Sequence, residues 1–317
     1  MKLSIVIPTY RREQVLVNTI QQLLPLREKL GTLSELLIID QTEQHHSATE
    51  ESLTYWSQSG LIRWLRLSKP HLTAAMNTGL KEAQGEIVLY LDDDIIPNSN
   101  LLSEHLSAHA QYVEAWTVVG QVLQPGQTAQ DLRPEMSRSV LWRDLDFPFN
   151  SIKQCWIENA IACNMSLKRS LCISAGGFDE NFPPPVASRF ETEFAKRIVR
   201  SGGKVLFAPA ASIHHLAAGS GGTRSHGSHL KSASSIYGVG DCYFAFRCAK
   251  GWDLCWYLMR KPFREVRTKF HLTHPWWIPV KLIGEVRALL RAWLLAQQAP
   301  ALVKSGGSMS TYRNHFL

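Results

Sequence analysis

Short apolar runs that alternate with helical stretches most constrain the fold of this chain. Residues 3–8 read LSIVIP, residues 35–40 read ELLIID and residues 86–94 read EIVLYLDDD, and each apolar run has the length and composition of a buried strand. Apolar residues at helical spacing separate these runs at 13–24 and 73–83. This order predicts βαβ units, and therefore an α/β fold with a mostly parallel, Rossmann-like sheet flanked by helices.

Polar residues stand at the ends of these strands, where ligands bind in parallel sheets. Residues 9–11 follow the first strand, Asp40 ends the second, and Asp92, Asp93 and Asp94 end the third. Adjacent carboxylates repel one another and lose hydration when buried, so a metal, basic side chains or water must compensate them. Because strand residues alternate faces, Asp92 and Asp94 share one side, and this pair suits a hard cation such as Mg²⁺ or Mn²⁺. A solvated acidic turn is the alternative.

Composition narrows the partners and the compartment. The chain has 317 residues, 45% of them apolar, and a net charge of +7, which favours anionic partners. Its six cysteines show no CxxC pair or framework spacing, and this favours free thiols in a reducing compartment. No signal peptide is evident, and no apolar run approaches the roughly 20 residues that span a bilayer. We therefore expect a cytoplasmic protein, which can also sit peripherally on the inner face of the membrane.

Five motifs, taken together, resemble the family-two glycosyltransferases of the GT-A fold. In chain order they read SIVIPTYRR, IID, AAMNTGLKEAQGEIVLYLDDDIIP, CNMSLKRSLCISAGGFDENF and ETEFAKRI, within residues 1–220. The resemblance implies inverting transfer of a sugar from a nucleotide-diphosphate sugar, of the UDP or dTDP type, to a hydroxyl of a glycan or glycolipid acceptor. It also implies a nucleotide-sugar half at 1–110 and an acceptor half at 111–235 of one domain. From about residue 236 tryptophans, arginines and lysines become dense, and this change in composition predicts a helical region at 236–317.

The resemblance also assigns site residues by their position in these motifs. Residues expected at the nucleotide sugar are Pro8, Thr9, Tyr10, Arg12, Asp40, Asn77, Asp92 and Asp93. Those expected at a Mg²⁺ or Mn²⁺ ion are Asp92, Asp94 and His214, and those expected on the acceptor side are Asn164 and Asp179. Met76 stands where an arginine is common, which removes one expected phosphate contact. Plain structural roles stay open: a helix cap for Asp40, a capped turn for the histidine pair and a tight glycine turn at Asp179.

The family's general base is the aspartate of a Glu-Asp pair that precedes a helix. The matching stretch here is FETEFAKRI, which puts Phe190 and Glu191 at those two positions. Partial desolvation beside Phe190 would raise the pKa of Glu191, and a raised pKa suits a general base. Alternatively, Glu191 or Glu193 only complements the helix dipole in the first turn. The segment 219–224, GSGGTR, would close over the phosphates and bring Arg224 to them.

The C-terminal region is basic and rich in tryptophan. A helical projection of residues 280–298 puts the large apolar residues on one side and most charged residues on the other. Arginines and lysines at 260–269 and the sequence HPWWIP at 274–279 precede it. This combination favours peripheral contact with an anionic membrane surface, whereas the alternative packs the apolar face on the catalytic domain. We expect no nucleic-acid partner.

Two other functions compete with glycosyl transfer. A degenerate, non-catalytic binding module is suggested by the departures from the family at Met76, Phe190 and Glu191. A nucleotidyltransferase could share such a sheet, but it needs a glycine-rich phosphate loop after the first strand. The segment PTYRREQ at that place contains no glycine.

Overall fold

The computed structural model describes residues 1–132, 141–184, 186–222 and 228–304. Within these ranges the strands are β1 (Leu3–Thr9), β2 (Ser34–Asp40), β3 (Arg63–Arg66), β4 (Ile87–Leu91), β5 (Ile95–Pro97), β6 (Ala115–Leu123), β7 (Cys155–Ile157), β8 (Asn164–Lys168) and β9 (Lys204–His215). The helices are α1 (Gln14–Leu30), α2 (Ser47–Gln58), α3 (Leu72–Glu82), α4 (Leu101–Gln111), α5 (Arg169–Ser174), α6 (Phe190–Arg200), α7 (Val239–Cys248), α8 (Gly251–Val266), α9 (Lys269–Thr273) and α10 (Ile278–Ala296).

All strands belong to one sheet of order β3-β2-β1-β4-β8-β6-β9-β5, and β7 pairs with β9. The run β3-β2-β1-β4 is parallel, as is the pair β6 and β9, whereas β8, β5 and β7 run antiparallel to their neighbours. Strand β1 shows why the sheet is buried on both faces. Its Val6 joins one apolar cluster, while Leu3, Ile5 and Ile7 join the cluster on the other face. The predicted α/β class is confirmed.

Strand β9 contains an irregularity that changes which side chains reach the site. Ala208 pairs with Gly120, but the next residue of β6, Gln121, pairs with Ser212, so the residues between form a bulge. The backbones approach so closely here that a Cβ atom on Gly120 would lie 2.1 Å from the carbonyl oxygen of Ala211. Glycine is therefore required at position 120.

The C-terminal region is helical, as expected, but α10 packs in an unexpected orientation. Its buried residues are Lys281, Gly284, Glu285, Ala288 and Ala292. Its exposed large apolar residues are Ile283, Val286, Leu290, Trp293 and Leu294. The alternative in which the apolar face packs on the catalytic domain is therefore wrong. The helix instead lays a charged, small-residue face on α7 and α8 and turns its apolar stripe outward.

A buried ionic network explains this orientation. Glu285 is paired with Lys261 of α8 and, at 2.8 Å, with Lys281, and all three side chains are 3% exposed. Asp241 of α7 accepts hydrogen bonds from Tyr257 at 2.6 Å and Arg264 at 2.7 Å. Buried charges are tolerated when they are paired and hydrogen-bonded, as they are here. Polar pairing therefore joins α7, α8 and α10.

Among the described helices, none combines the length and the apolar character needed to cross a bilayer.

Candidate active site

A cleft of about 220 Å³ opens where β1, β2 and β4 end. Several residues that were predicted to contact the nucleotide sugar line this cleft: Pro8, Thr9, Tyr10, Arg12, Asp92 and Asp93. Asp94, a predicted metal ligand, lines it as well. Gln41 and His71, which the sequence did not single out, complete the wall. The arrangement follows from the parallel pairing of β1 with β2 and β4, which brings the carboxyl ends of the strands to one edge.

A second cleft, of about 390 Å³, adjoins the first. Pro8, Leu72, Asp92 and His215 line both, so the two clefts form one continuous depression. Glu191 lines the second cleft, at the start of α6. The fold thus brings the predicted base and the acidic triplet to the same depression.

Two of the three aspartates face one histidine. The Nε2 atom of His215 lies 3.4 Å from Asp92 and 3.2 Å from Asp94. Hydrogen bonds to both carboxylates raise the pKa of His215 to about 9. Burial alone would raise the pKa of Asp94, but His215 and the backbone N–H of Ala218, 2.8 Å away, hold it below its ordinary value. In this state a protonated imidazole compensates the carboxylates.

Asp93 faces away from this cluster. Its carboxylate accepts a 2.7 Å hydrogen bond from the Thr9 hydroxyl and lies 3.2 Å from Nε of Arg12. Burial raises the pKa of Asp93 to about 7 although Arg12 and Thr9 oppose the shift. Arg12 also lies 3.4 Å from Asp94 and thereby bridges Asp93 and Asp94. The three adjacent charges are thus offset by one guanidinium and one imidazole.

The histidine that the structure brings to this cluster is His215 rather than the predicted His214. The ligand atoms of Asp92, Asp94 and His215 lie within 4.8 Å of one another. His214 pairs with Ile96 in the β5 register, and its side chain is exposed. Alternation along β9 could not be counted from the sequence because the bulge shifts the register before the histidine pair.

The carboxylate of Asp40 is engaged by protein groups, and Asp40 lines neither cleft, so its assignment to the nucleotide stays a prediction. The side chain is fully buried and accepts hydrogen bonds from His45 at 2.8 Å, Trp64 at 2.9 Å and the backbone of Thr42 at 2.8 Å. Burial opposes ionisation, yet these bonds hold the pKa of Asp40 below its ordinary value. The next residue, Gln41, is the one whose side chain lines the cleft.

Three further predicted site residues are buried and hydrogen-bonded inside the protein. Asn77 bonds both the N–H and the carbonyl of Phe178 at 2.8 Å. Asn164 donates to two strand carbonyls and contacts His105 at 2.8 Å. Asp179 accepts a 2.7 Å bond from Tyr243. None of Asn77, Asn164 and Asp179 lines either cleft. Their contacts give them structural roles, and their assignments to the donor and the acceptor stay predictions.

Two glutamates in the first turn of α6 have different surroundings. Glu193 is buried and pairs with Arg197 at 2.9 Å, so it stabilises the helix. Glu191 is half-buried, and burial raises its pKa to about 7, while its backbone and Arg189 limit the shift. Arg189 itself adopts a left-handed conformation with φ of 66° and lies 3.5 Å from Asp241. The first-turn alternative therefore describes Glu193, whereas Glu191 faces the cleft.

Sequence reasoning missed His215, Gln41 and His71. The sequence signal for His215 and Gln41 was their position: they directly follow His214 and Asp40, which the sequence analysis assigned to the site. The Pro70–His71 dipeptide after β3 was the only sequence signal for His71. Arg224 lies outside the described residues.

Comparisons with known proteins agree with these observations. Residues 4–174, more than half of the chain, match glycosyl transferase family 2. A curated relative is the poly(ribitol-phosphate) beta-N-acetylglucosaminyltransferase TarP of Staphylococcus aureus strain N315, 33% identical over 106 residues. That match covers 32% of this chain and 31% of TarP, so it spans about a third of either protein.

Solved structures show the same fold at low identity. S. aureus TarS 1–349 in complex with UDP-GlcNAc superposes with a TM-score of 0.59 at 16% identity, over 93% of this chain and 88% of that one. The mannosyltransferase PcManGT of Pyrobaculum calidifontis, with GDP-Man and Mn²⁺, gives 0.53 at 17% identity, over 93% and 79%. The architecture is therefore that of the GT-A glycosyltransferases, and the chain belongs to glycosyl transferase family 2.

Proposed function

We propose that the protein is an inverting glycosyltransferase, which moves a sugar from a nucleotide-diphosphate sugar to an acceptor hydroxyl in polysaccharide or glycolipid assembly. One observation carries this proposal: two adjoining clefts share Asp92 and His215, and the second contains Glu191, a carboxyl group of raised pKa. The first cleft suits the nucleotide and its phosphates. The second suits the sugar and the acceptor.

The first cleft has groups that can hold a nucleobase. Tyr10 supplies an aromatic ring, and the amide of Gln41 can both donate and accept hydrogen bonds. A donating and accepting amide suits the imide edge of a pyrimidine, which UDP- and dTDP-sugars share. The TarS structure contains UDP-GlcNAc, so this compound is the first donor to test.

The residues of the acidic cluster fit a hard divalent cation. Two carboxylates and an imidazole converge within 4.8 Å, and oxygen ligands of this kind suit Mg²⁺ or Mn²⁺. Asp92, Asp94 and His215 would hold the ion, whose charge would stabilise the departing nucleoside diphosphate. Arg12 contributes a fixed positive charge beside the same carboxylates.

Glu191 is proposed as the general base. Its pKa of about 7 leaves a substantial carboxylate fraction at neutral pH and keeps it basic enough to take a proton. As the acceptor oxygen forms its bond to the anomeric carbon, the bond from that carbon to the diphosphate breaks and the acceptor proton passes to Glu191. Attack from the face opposite the leaving group inverts the anomeric centre.

An anionic acceptor and an anionic membrane both suit the charge of the chain. TarP is named for a poly(ribitol-phosphate) acceptor, and a net charge of +7 would attract a polymer of that kind. The same proposal puts the protein in the cytoplasm, in peripheral contact with an anionic membrane. Support comes from its six free thiols and from the basic, tryptophan-rich C-terminal region.

The decisive experiment measures release of the nucleoside diphosphate from a panel of nucleotide sugars with Mn²⁺, for the wild type and for Glu191→Gln and Asp94→Asn. Loss of a general base costs roughly 10²- to 10⁴-fold in rate, so Glu191→Gln should lose at least a hundredfold. Asp94→Asn should raise the Mn²⁺ requirement.

Glu104→Gln is the matched control, because Glu104 is also a half-buried first-turn glutamate, in α4, and it lines neither cleft. If a nucleotide sugar raised the melting temperature but neither the wild type nor any variant turned it over, the protein would be a binding module instead. Equal turnover by Glu191→Gln and the wild type would refute the assignment of the base.

A further inference from the structure

The C-terminal helices expose two apolar stripes. On α8 the stripe is Trp252, Trp256, Met259 and Phe263, which are between 41% and 73% exposed. Their spacing of four, three and four residues puts them on one side of the helix. On α10 the stripe is Ile283, Val286, Leu290, Trp293 and Leu294, each about half exposed. Exposed apolar surface of this extent marks a contact site.

The buried network fixes both stripes outward. Lys261 of α8 and Glu285 of α10 pair with each other on the inner sides of their helices. Rotating either helix to bury its stripe would expose or unpair these charges, and uncompensated buried charge is costly. The outward apolar faces are therefore a stable feature of the fold.

Charge identifies the partner as anionic. Between residues 250 and 296, all of which are described, every exposed charged side chain is basic: Lys250, Arg260, Arg264, Arg267, Lys269, Arg287 and Arg291. The three acidic residues of that range, Asp253, Glu265 and Glu285, are half-buried or buried. A second copy of this face would bring like charges together, which disfavours a symmetric dimer.

A basic cavity lies beside the α8 stripe. It has a volume of about 400 Å³, and its lining includes Trp142, Tyr257, Arg260, Arg264 and Arg267. The guanidinium of Arg260 stands 5.7 Å from the ring centre of Trp142. Within the described part of the chain, Arg260 and Arg267 form no ion pair with a carboxylate, so their charges remain available to a ligand. Planar guanidinium groups suit a phosphate.

We propose that α8 forms a docking face for an anionic lipid bilayer, on which Trp252 and Trp256 enter the interface and the cavity beside Trp142 receives a lipid phosphate. Basic residues next to interfacial tryptophans are the combination that binds such surfaces. The inference deepens the membrane contact of the proposed function, on which it rests, by naming the face and the headgroup chemistry.

Vesicle sedimentation of the full chain tests the proposal. Vesicles of phosphatidylcholine with phosphatidylglycerol should carry the protein down, whereas vesicles of phosphatidylcholine alone should bind it at least about tenfold more weakly. Arg260→Glu with Arg267→Glu should weaken binding to the anionic vesicles by at least about tenfold, and so should Trp256→Ser with Phe263→Ser.

Matched controls change exposed residues elsewhere. Lys29→Glu with Lys81→Glu makes the same change in net charge, and Tyr55→Ser with Val113→Ser removes large side chains that are at least as exposed as Trp256. Both control proteins should sediment like the wild type. Equal loss in the controls, or no preference for anionic vesicles, overturns the proposal. A dimer in sedimentation velocity that Trp256→Ser with Phe263→Ser dissociates would also overturn it, in favour of a second copy.

Donor turnover, measured in parallel without lipid, separates the two proposals. An inactive protein that still sediments would refute the enzyme assignment alone. An active protein that fails to sediment would refute the docking face alone.

Discussion

Replacing Glu285 with glutamine tests whether ionic pairing holds the C-terminal helices together. In the wild type one carboxylate serves the ammonium groups of Lys261 and Lys281, and all three side chains are 3% exposed. Glutamine has nearly the same shape but no charge. The substitution therefore leaves two buried ammonium groups without their main partner while it changes packing little.

The size of the loss follows from that geometry. Breaking a buried ion pair by removing one partner costs about 3–5 kcal/mol. Lys261 keeps Asp241 at 3.8 Å and Lys281 keeps Glu265 at 3.5 Å, so the lower end applies, about 3 kcal/mol. For 317 residues the entropy of unfolding is about 0.7 kcal/mol/K, and the melting temperature should fall by about 4–5 °C.

Two measurements check this expectation. Differential scanning calorimetry reports the melting temperature if the chain unfolds as one unit. Hydrogen exchange reports α10 directly if the C-terminal helices open separately, and 3 kcal/mol corresponds to an increase of about 150-fold in the exchange of its protected amides. Adding Lys281→Met to the variant removes one uncompensated charge and should restore part of the lost stability.

Glu265→Gln is the control, because Glu265 is 27% exposed and pairs at 3.5 Å or more. Water partly screens Glu265, and Lys281 keeps Glu285 at 2.8 Å, so the loss should be up to about 1 kcal/mol. If Glu285→Gln melted within one degree of Glu265→Gln and exchanged equally slowly, the reasoning that charge pairing sets the orientation of α10 would be refuted.

Three more predictions concern the site and its support. Below about pH 7 the rate of sugar transfer should fall about tenfold per pH unit. Burial raises the pKa of Glu191 to about 7, and its protonated form cannot take a proton from the acceptor. A profile of kcat against pH with no break near pH 7 would contradict this. Affinity for Mn²⁺ should rise with pH towards 9, since the pKa of His215 is raised to about 9 and a ligating imidazole must first lose its proton. Calorimetry in buffers of different ionisation enthalpy should detect that proton in the wild type and in His214→Ala but not in His215→Ala. Gly120→Ala should destabilise the protein by more than about 2 kcal/mol in a urea titration, because the added Cβ would overlap Ala211 and Asn164. Gly219→Ala is the control: a Cβ there would have open space, so this variant should unfold at the same urea concentration as the wild type.

The sequence predicted the parallel strands and the gathering of their polar ends from patterns that local physics controls. Apolar runs that end in polar residues produced β1, β2 and β4, and parallel pairing then had to bring those ends together. Strand alternation also separated Asp93 from Asp92 and Asp94 correctly. These inferences needed no knowledge of distant contacts.

The features that the sequence did not show depend on distant contacts. The occupation of Asp40 requires His45 from a loop and Trp64 from β3, and neither is announced by the residues around Asp40. His215 rather than His214 reaches the cluster after the bulge in β9, where the pairing with β6 shifts register. The outward face of α10 depends on Lys261, a residue of another helix, which makes the charged side the better one to bury.

Asp241 is shared by two arginines that serve different parts of the molecule. Arg189 stands two residues before Glu191 and limits the rise that burial causes in its pKa, while Arg264 lines the basic cavity. A lipid phosphate that binds Arg264 competes with Asp241 for that guanidinium and leaves Asp241 a stronger partner for Arg189. Because binding effects are reciprocal, the factor by which bound lipid changes the proton affinity of Glu191 equals the factor by which protonation of Glu191 changes the lipid affinity. A shift of the pH–activity curve when lipid is added would measure this coupling between the basic cavity and Glu191.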